Sequence, residues 1–140
     1  MKIFDNIYGY GHKNISCSHQ TTIEITKDSA LTKNGDCILA INASKACCDL
    51  NTHLKNQIWQ GKKFKVTLKV EDTYDHFYGV GSKDLRLLDK RDMVFRRSSF
   101  ICNRTVLIKC SKSSKDLSRE LVDKLKQSKN KLFLTIETDE

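Results

Sequence analysis

Proline is absent from all 140 residues, so no turn can rely on a locked φ, and chain reversals fall to glycine, asparagine and aspartate. No apolar run approaches the roughly 20 residues that a membrane-spanning helix needs. The start Met1-Lys2-Ile3-Phe4-Asp5 lacks the apolar stretch of a secretory signal, which reads as a cytoplasmic chain with no membrane partner. The 6 cysteines include no C-x-x-C pair, which argues against a zinc ribbon or a thioredoxin-like centre. Free thiols are the default in a reducing compartment. Cys47-Cys48 falls in a helical pattern and reads as core, whereas Cys17 and Cys37 can bridge only if their strands are neighbours. There is no Walker-type lysine loop and no G-x-G-x-x-G, so nucleotide cradling has no motif behind it. Arginine is missing from the first half: Arg86, Arg91, Arg96, Arg97, Arg104 and Arg119 all lie beyond residue 85.

What is present is charge, and it is unbalanced. Charged residues make up 30% of the chain, a usage that fits a thermophile, yet the formal net charge is +8. Ion-pair networks need both signs, so the surplus calls for another account. A cationic surface concentrates anions and favours nucleic acid or phosphorylated ligands; solubility alone is the competing reading.

The chain also repeats itself. Tyr8-Gly9-Tyr10-Gly11-His12-Lys13 returns as Tyr78-Gly79-Val80-Gly81-Ser82-Lys83, and Ile41-Asn42-Ala43-Ser44-Lys45 returns as Ile108-Lys109-Cys110-Ser111-Lys112. Asp49-Leu50 matches Asp116-Leu117, and Leu54 and Ile58 match Leu121 and Leu125. The pattern predicts two copies of one unit, about 7–72 and 77–138, related by a pseudo-twofold axis within a single domain spanning 1–140. A half of about 65 residues is marginal alone, so the halves should share one core, for which 39% hydrophobic residues suffice.

Each copy reads β-β-β-α-β. Ile3–Gly9 forms a short strand ending at a glycine turn, and Ile15, Cys17, Ile23 and Ile25 share the inward parity of a second strand running to Thr26. Leu85, Leu87, Met93 and Phe95 are its counterparts. Asn34-Gly35-Asp36 reads as a tight turn before a strand at Cys37–Ile41. A helical region runs from Ser44 to Gln60, breaking at the N-cap candidate Asn51 (Ser118 in the second copy) and stopping at Gly61. Phe64, Val66, Leu68 and Val70 then alternate, as do Leu132, Leu134 and Ile136. The expected fold is mainly β (α+β), an internally duplicated β-sandwich or barrel-like domain with one helical region per half.

Residues kept by both copies read as scaffold and residues held by one copy as candidates for function. Lys45 and Lys112 each open a helical region, where unpaired N–H groups and an ammonium suit phosphate. The structural alternative has Ser44 or Ser111 capping the helix and the lysine pairing with Asp49 or Asp116. The shared glycines read as positive-φ or bulge positions. His12, His19, Glu24 and Asp36 belong to the first copy only. His19 lies on the inward parity, so it is either a hydrogen-bonded core histidine or part of a pocket with His12 and Asp36 offering base or divalent-metal chemistry. Arg96-Arg97 beside Ser98-Ser99, together with Arg104, form the arginine-based anion candidate. Lys62-Lys63-Phe64-Lys65 reads as a solvated hairpin approach, and Trp59 alone makes no stacking platform.

Gly11-His12, Asn14, His19, Thr21-Thr22, Glu24, Thr26, Leu31-Thr32, Gly35-Asp36-Cys37-Ile38 and Ala43-x-Lys45 resemble an archaeal family known as domain of unknown function 371. Gly79-x-Gly81, Met93, Arg96-Arg97-Ser98, Arg104-Thr105 and Asp116-Leu117 extend the resemblance from about Tyr8 to Thr138. It implies an archaeal, cytosolic, single-domain protein of mainly β, sandwich-like fold, with recurrent polar positions at His12, His19, Thr21, Glu24, Asp36 and Lys45. The resemblance implies no established activity, though a nuclease label accompanies it. The leading expectation is a binding module for an anionic partner, nucleic acid or a phosphorylated ligand. The alternatives are a hydrolase or nuclease built on the His/Asp/Glu set, and an assembly subunit pairing through strand edges.

Overall fold

Strict alternation builds the first sheet. In β4 (Lys63–Val70) and β8 (Lys131–Thr138), Phe64, Val66, Leu68, Val70, Leu132, Leu134 and Ile136 are all buried, while the intervening residues face outward. These two strands pair antiparallel and are flanked by β1 (Phe4–Tyr10) and β5 (Thr73–Val80), giving the order β1-β8-β4-β5. The computed structural model describes residues 2–139.

The second sheet is smaller, in the order β3-β2-β6-β7, from β2 (Thr22–Thr26), β3 (Ile38–Ala40), β6 (Asp92–Arg96) and β7 (Thr105–Leu107). β2 and β6 pair antiparallel at its centre and turn Ile23, Ile25, Met93 and Phe95 into the core. Phe95 meets Phe77 of the first sheet edge to face, with ring centroids 5.5 Å apart. Isolated bridges Tyr10–Ile41 and Val80–Ile108 join the corners. The architecture is therefore two four-stranded sheets around one hydrophobic cluster, not a closed barrel.

Two strand expectations change. The inward parity at Ile15, Cys17, Leu85 and Leu87 holds, for all four are buried, but the strand begins only at Thr22. Cys17 and Leu87 adopt left-handed backbone (φ 43° and 55°), which no strand accommodates. The turn around Gly35 closes no hairpin, because β3 runs parallel to β2, as β7 does to β6. The chain crosses over through residues 27–37 instead.

The helical regions do break as expected. A single 3-10 turn at Cys47–Asp49 precedes α1 (Thr52–Trp59), and another at Ser114–Asp116 precedes α2 (Arg119–Lys124). Asn51 and Ser118 cap them through Leu54 N–H (2.7 Å) and Leu121 N–H (3.3 Å). Gly61 ends α1 with φ +76°. Gly11 and Gly81 are not positive-φ positions: each allows a close approach. A Cβ on Gly81 would strike the Ile58 carbonyl at the end of α1, and one on Gly11 would strike the Leu125 and Gln127 carbonyls after α2. No helix is long and apolar enough to cross a membrane among the described residues. The runs β1–β4 and β5–β8 have the same element order, and exchanging them reverses each sheet's strand order onto itself.

Candidate functional site

The outward residues of the first sheet fall into rows fixed by its register. One row reads Phe4, Glu137, Lys65, Tyr78; the next Asn6, Thr135, Thr67, His76; the third Tyr8, Phe133, Lys69, Tyr74. Tyr10 and Lys131 follow. Large apolar side chains are therefore set out on a water-facing sheet: Phe4 is 52% exposed, Tyr8 43%, Phe133 48% and Tyr74 61%. Lysines lie across them. Lys131 Nζ is 4.0 Å from the Tyr8 ring centroid and 5.2 Å from that of Phe133, Lys63 is 4.7 Å from Tyr78, and Lys69 is 5.5 Å from Tyr74. A depression of about 460 Å³ opens between Asn6, Tyr8, Lys69, Phe133 and Thr135. Glu137 is the acidic member of the rows; Lys65, Lys69 and Lys131 make no ion pair with any described residue.

This face was missed by the reading of the sequence, which sought candidates among histidines, carboxylates, arginines and the lysines that open the helical regions. Its signal was the polar parity of the alternating strands: Lys63, Lys65, Lys69; Tyr74, His76, Tyr78; Lys131, Phe133. Each strand alone looks merely solvated. Only the register, which brings Tyr8 beside Phe133 and Lys69, assembles them.

The candidates of the first half do not all converge: only His19 and Asp36 come together. His12 accepts the Asn14 N–H through Nδ1 (2.9 Å) and lines a cavity of about 460 Å³ with Lys13, Lys126 and Lys129. His19 and Asp36 share a different cavity, about 360 Å³, with Ser18 and Thr21. His19 is half-buried rather than core, and its Nδ1 accepts from the Thr21 and Thr22 N–H groups (3.1 and 3.3 Å). At the matching places of the second run, Ser82 Oγ accepts from Asp84 N–H and Asp89 Oδ2 from Arg91 and Asp92 N–H. The histidines thus serve as turn acceptors. Glu24 lies elsewhere, buried on β2 with its carboxylate 3.1 Å from Arg104 Nη1. Among the described residues no three His, Cys, Asp or Glu side chains are grouped to hold a metal ion.

The lysine-flanked helix starts already hold an anion. Asp5 Oδ1 takes Lys45 Nζ at 2.8 Å and its Oδ2 the Asn51 N–H; Asp75 takes Lys112 Nζ at 2.6 Å and the Ser118 N–H. Burial pushes the Asp75 carboxyl up, but Lys112 and the Ser118 and His76 N–H groups outweigh it and hold it low. Ser44 and Ser111 accept from Tyr8 and Tyr78 N–H rather than capping a helix. Asp49 and Asp116 accept backbone N–H groups of Ala46 and Ser113; Asp49 also meets Lys27, and Asp116 Arg97.

The second-run arginines are also engaged. Arg97 meets Asp116 at 3.4 Å, and Arg104 bridges Glu24 and Asp92. Burial raises the Glu24 carboxyl from 4.5 to about 7, with Asp92 adding to the rise and Arg104 opposing it. Arg96 donates to Thr105 Oγ1 (3.0 Å) and to Cys102 Sγ (3.4 Å). Burial raises the Cys102 thiol, but Thr105, the Arg104 backbone and Arg96 more than offset it and bring it down to about 7. All 6 cysteines are free thiols, Cys17 and Cys37 included.

The family described as "Domain of unknown function (DUF371)" matches residues 7–139. The chain is 45% identical over 126 residues to "Uncharacterized protein MJ0206" of Methanocaldococcus jannaschii, an alignment covering 90% of this chain and 93% of that protein. A match over nearly the whole length, with a relative at that identity, places the chain in the DUF371 family.

Proposed function

We propose that the protein is a binding module for nucleic acid, and that the outer face of the first sheet is where the polyanion lies. The observation that carries this is the row arrangement: Lys65, Lys69 and Lys131, unpaired among the described residues, share one face with Lys63, against Glu137 and the Asp139 that meets Lys63 at 3.6 Å. Such a face releases counterions from a phosphate chain. The arginines and helix-opening lysines favoured by sequence contribute less, because Arg97, Arg104, Lys45 and Lys112 each meet a carboxylate.

The hydrolase reading draws no comparable support, since His12 and His19 spend Nδ1 on backbone N–H groups and lie in separate cavities. Assembly through this face is opposed by charge. Two copies docked across a twofold would set lysines against lysines. We also read the chain as a duplicated unit. The ties Asp5–Lys45 and Asp75–Lys112, the turn acceptors His12 and Ser82, and the reversible strand orders all support it.

Titrating a labelled oligonucleotide by fluorescence anisotropy at several salt concentrations tests the reading. With the four lysines engaged on a single strand, log affinity should fall against log salt with a slope of about −3. The triple substitution Lys65→Ala, Lys69→Ala, Lys131→Ala should shallow that slope by about 2 and weaken binding uniformly across sequences. Binding indifferent to salt, or an unchanged slope in the variant, would exclude this face.

A further inference from the structure

We infer that the rows receive unpaired bases, so that the ligand is a single strand held by stacking as well as by charge; this rests on the polyanion reading above. Strands about 4.8 Å apart and residues about 3.4 Å apart put Phe4, Tyr8, Tyr74 and Tyr78 near the corners of a square roughly 14 Å on a side. Phe133 sits beside Tyr8, and Lys65 and Lys69 lie between the corners. Rings so placed can meet only bases turned out of a stack, because a duplex offers a flat sheet its phosphates and groove edges rather than base faces. Four-stranded sheets that display aromatic rings in this way stack about two or three bases.

Fold stability does not account for the rings. Tyr8 and Phe133 form a direct cross-strand aromatic pair, which stabilises a sheet on its own account. Phe4 and Tyr74 have no such partner, standing opposite Glu137 and Lys69, and Tyr78, opposite Lys65, meets only His76 of its own strand, edge to face at 5.6 Å. Exposed apolar side chains gathered on one face of a sheet mark an interaction site, and the interleaved lysines make the occupant anionic.

The lysines also define how a base enters. Lys131 covers the Tyr8 ring at 4.0 Å and Lys63 the Tyr78 ring at 4.7 Å. An exposed cation–π contact is weaker than the stacking of a base on an aromatic ring. A base therefore displaces the ammonium, which moves aside to the phosphate that the base brings with it. One exchange places both groups.

The test uses three ligands on the intact protein: oligothymidine, an abasic strand with the same number of phosphates, and a duplex of the same length. Oligothymidine should bind at least about tenfold tighter than the abasic strand, as one stacked base is worth. Tyr8→Ala with Tyr74→Ala should lower oligothymidine's advantage over the abasic strand at least about tenfold while leaving the salt slope in place. Tyr8→Phe with Tyr74→Phe should retain the preference and guards against a misfolded double variant. Equal, salt-sensitive affinity for both strands overturns stacking yet leaves the polyanion reading standing. Preference for the duplex overturns stacking too. No binding of any of the three at low salt overturns both. Concentration-dependent sedimentation abolished by the alanine pair would reassign the face to a second copy of the chain.

Discussion

Glu24 stands under two opposed influences, burial beside Asp92 and an Arg104 guanidinium at 3.1 Å, and burial prevails, lifting its carboxyl to about 7. In the unfolded chain the group loses its proton near 4.5. Between those values the folded state holds a proton that the unfolded state has released, so this residue's contribution to stability is greatest below pH 4.5 and declines as pH rises towards 7. The decline is of order 3 kcal/mol at most. Glu24→Gln, which cannot titrate, should remove it: the difference in melting temperature between the native protein and the variant should change sharply between pH 5 and 7 and level off above. A difference independent of pH would place the ionised carboxylate, not the neutral one, in the folded state near neutrality. The sequence marked Glu24 and Arg104 as unshared residues worth watching, and the fold joins them. It gave no equal warning for His12 and His19, because a turn N–H accepts a bond from imidazole, hydroxyl or carboxylate alike, as Ser82 and Asp89 illustrate. At these two turns the position itself asks only for an acceptor.

At the scale of elements, the ends of the helices matter more than their lengths. Gly81, at the start of the second run, lies against the Ile58 carbonyl of α1, and Gly11 against the carbonyls that follow α2. Each run thus closes the other's helix, and neither backbone contact can yield as a flexible side chain would. Gly81→Ala should cost about 2–3 kcal/mol, seen as a lower urea midpoint with an unchanged m-value. A loss below about 0.5 kcal/mol would mean that the loop moves aside at little cost. Helices and long strands were legible because Leu54 with Ile58, and Phe64 with Val66, carry clean periods of 3.6 and 2. The stretch before β2 misled because burial of Ile15 and Cys17 keeps strand parity across a residue with left-handed backbone. The parallel partners β3 and β7 are only three residues each, too short for a period to reveal direction.

The whole molecule is held together by interleaving. β8 pairs with β1 on one side and β4 on the other, and β4 pairs in turn with β5, so the first sheet alternates between runs across its whole width. Fragments divided between Glu71 and Asp72 should each fail to melt cooperatively by circular dichroism, and mixing them should restore native spectra and a transition. A cooperative transition in the fragment ending at Glu71 would show that one run folds without the other. The charge distribution also becomes intelligible only at this scale. An overall +8 gives the size of the cationic surplus, but not where it lies. The pairing of Arg97, Arg104, Lys45 and Lys112 with carboxylates withdraws those cations, whereas Lys65, Lys69 and Lys131 stay unpaired among the described residues and lie together on one sheet face.

The position of β8 has a consequence in time. β8 occupies an interior place in the first sheet, between two strands synthesised well before it. Until Lys131–Thr138 clears the ribosome, β1 lacks its ladder partner and β4 lacks one of its two. Lys131 and Phe133, which complete the ring-and-lysine surface, arrive on that same strand. A chain that stops short of Lys131 therefore lacks both the complete sheet and the surface on which the proposed binding depends.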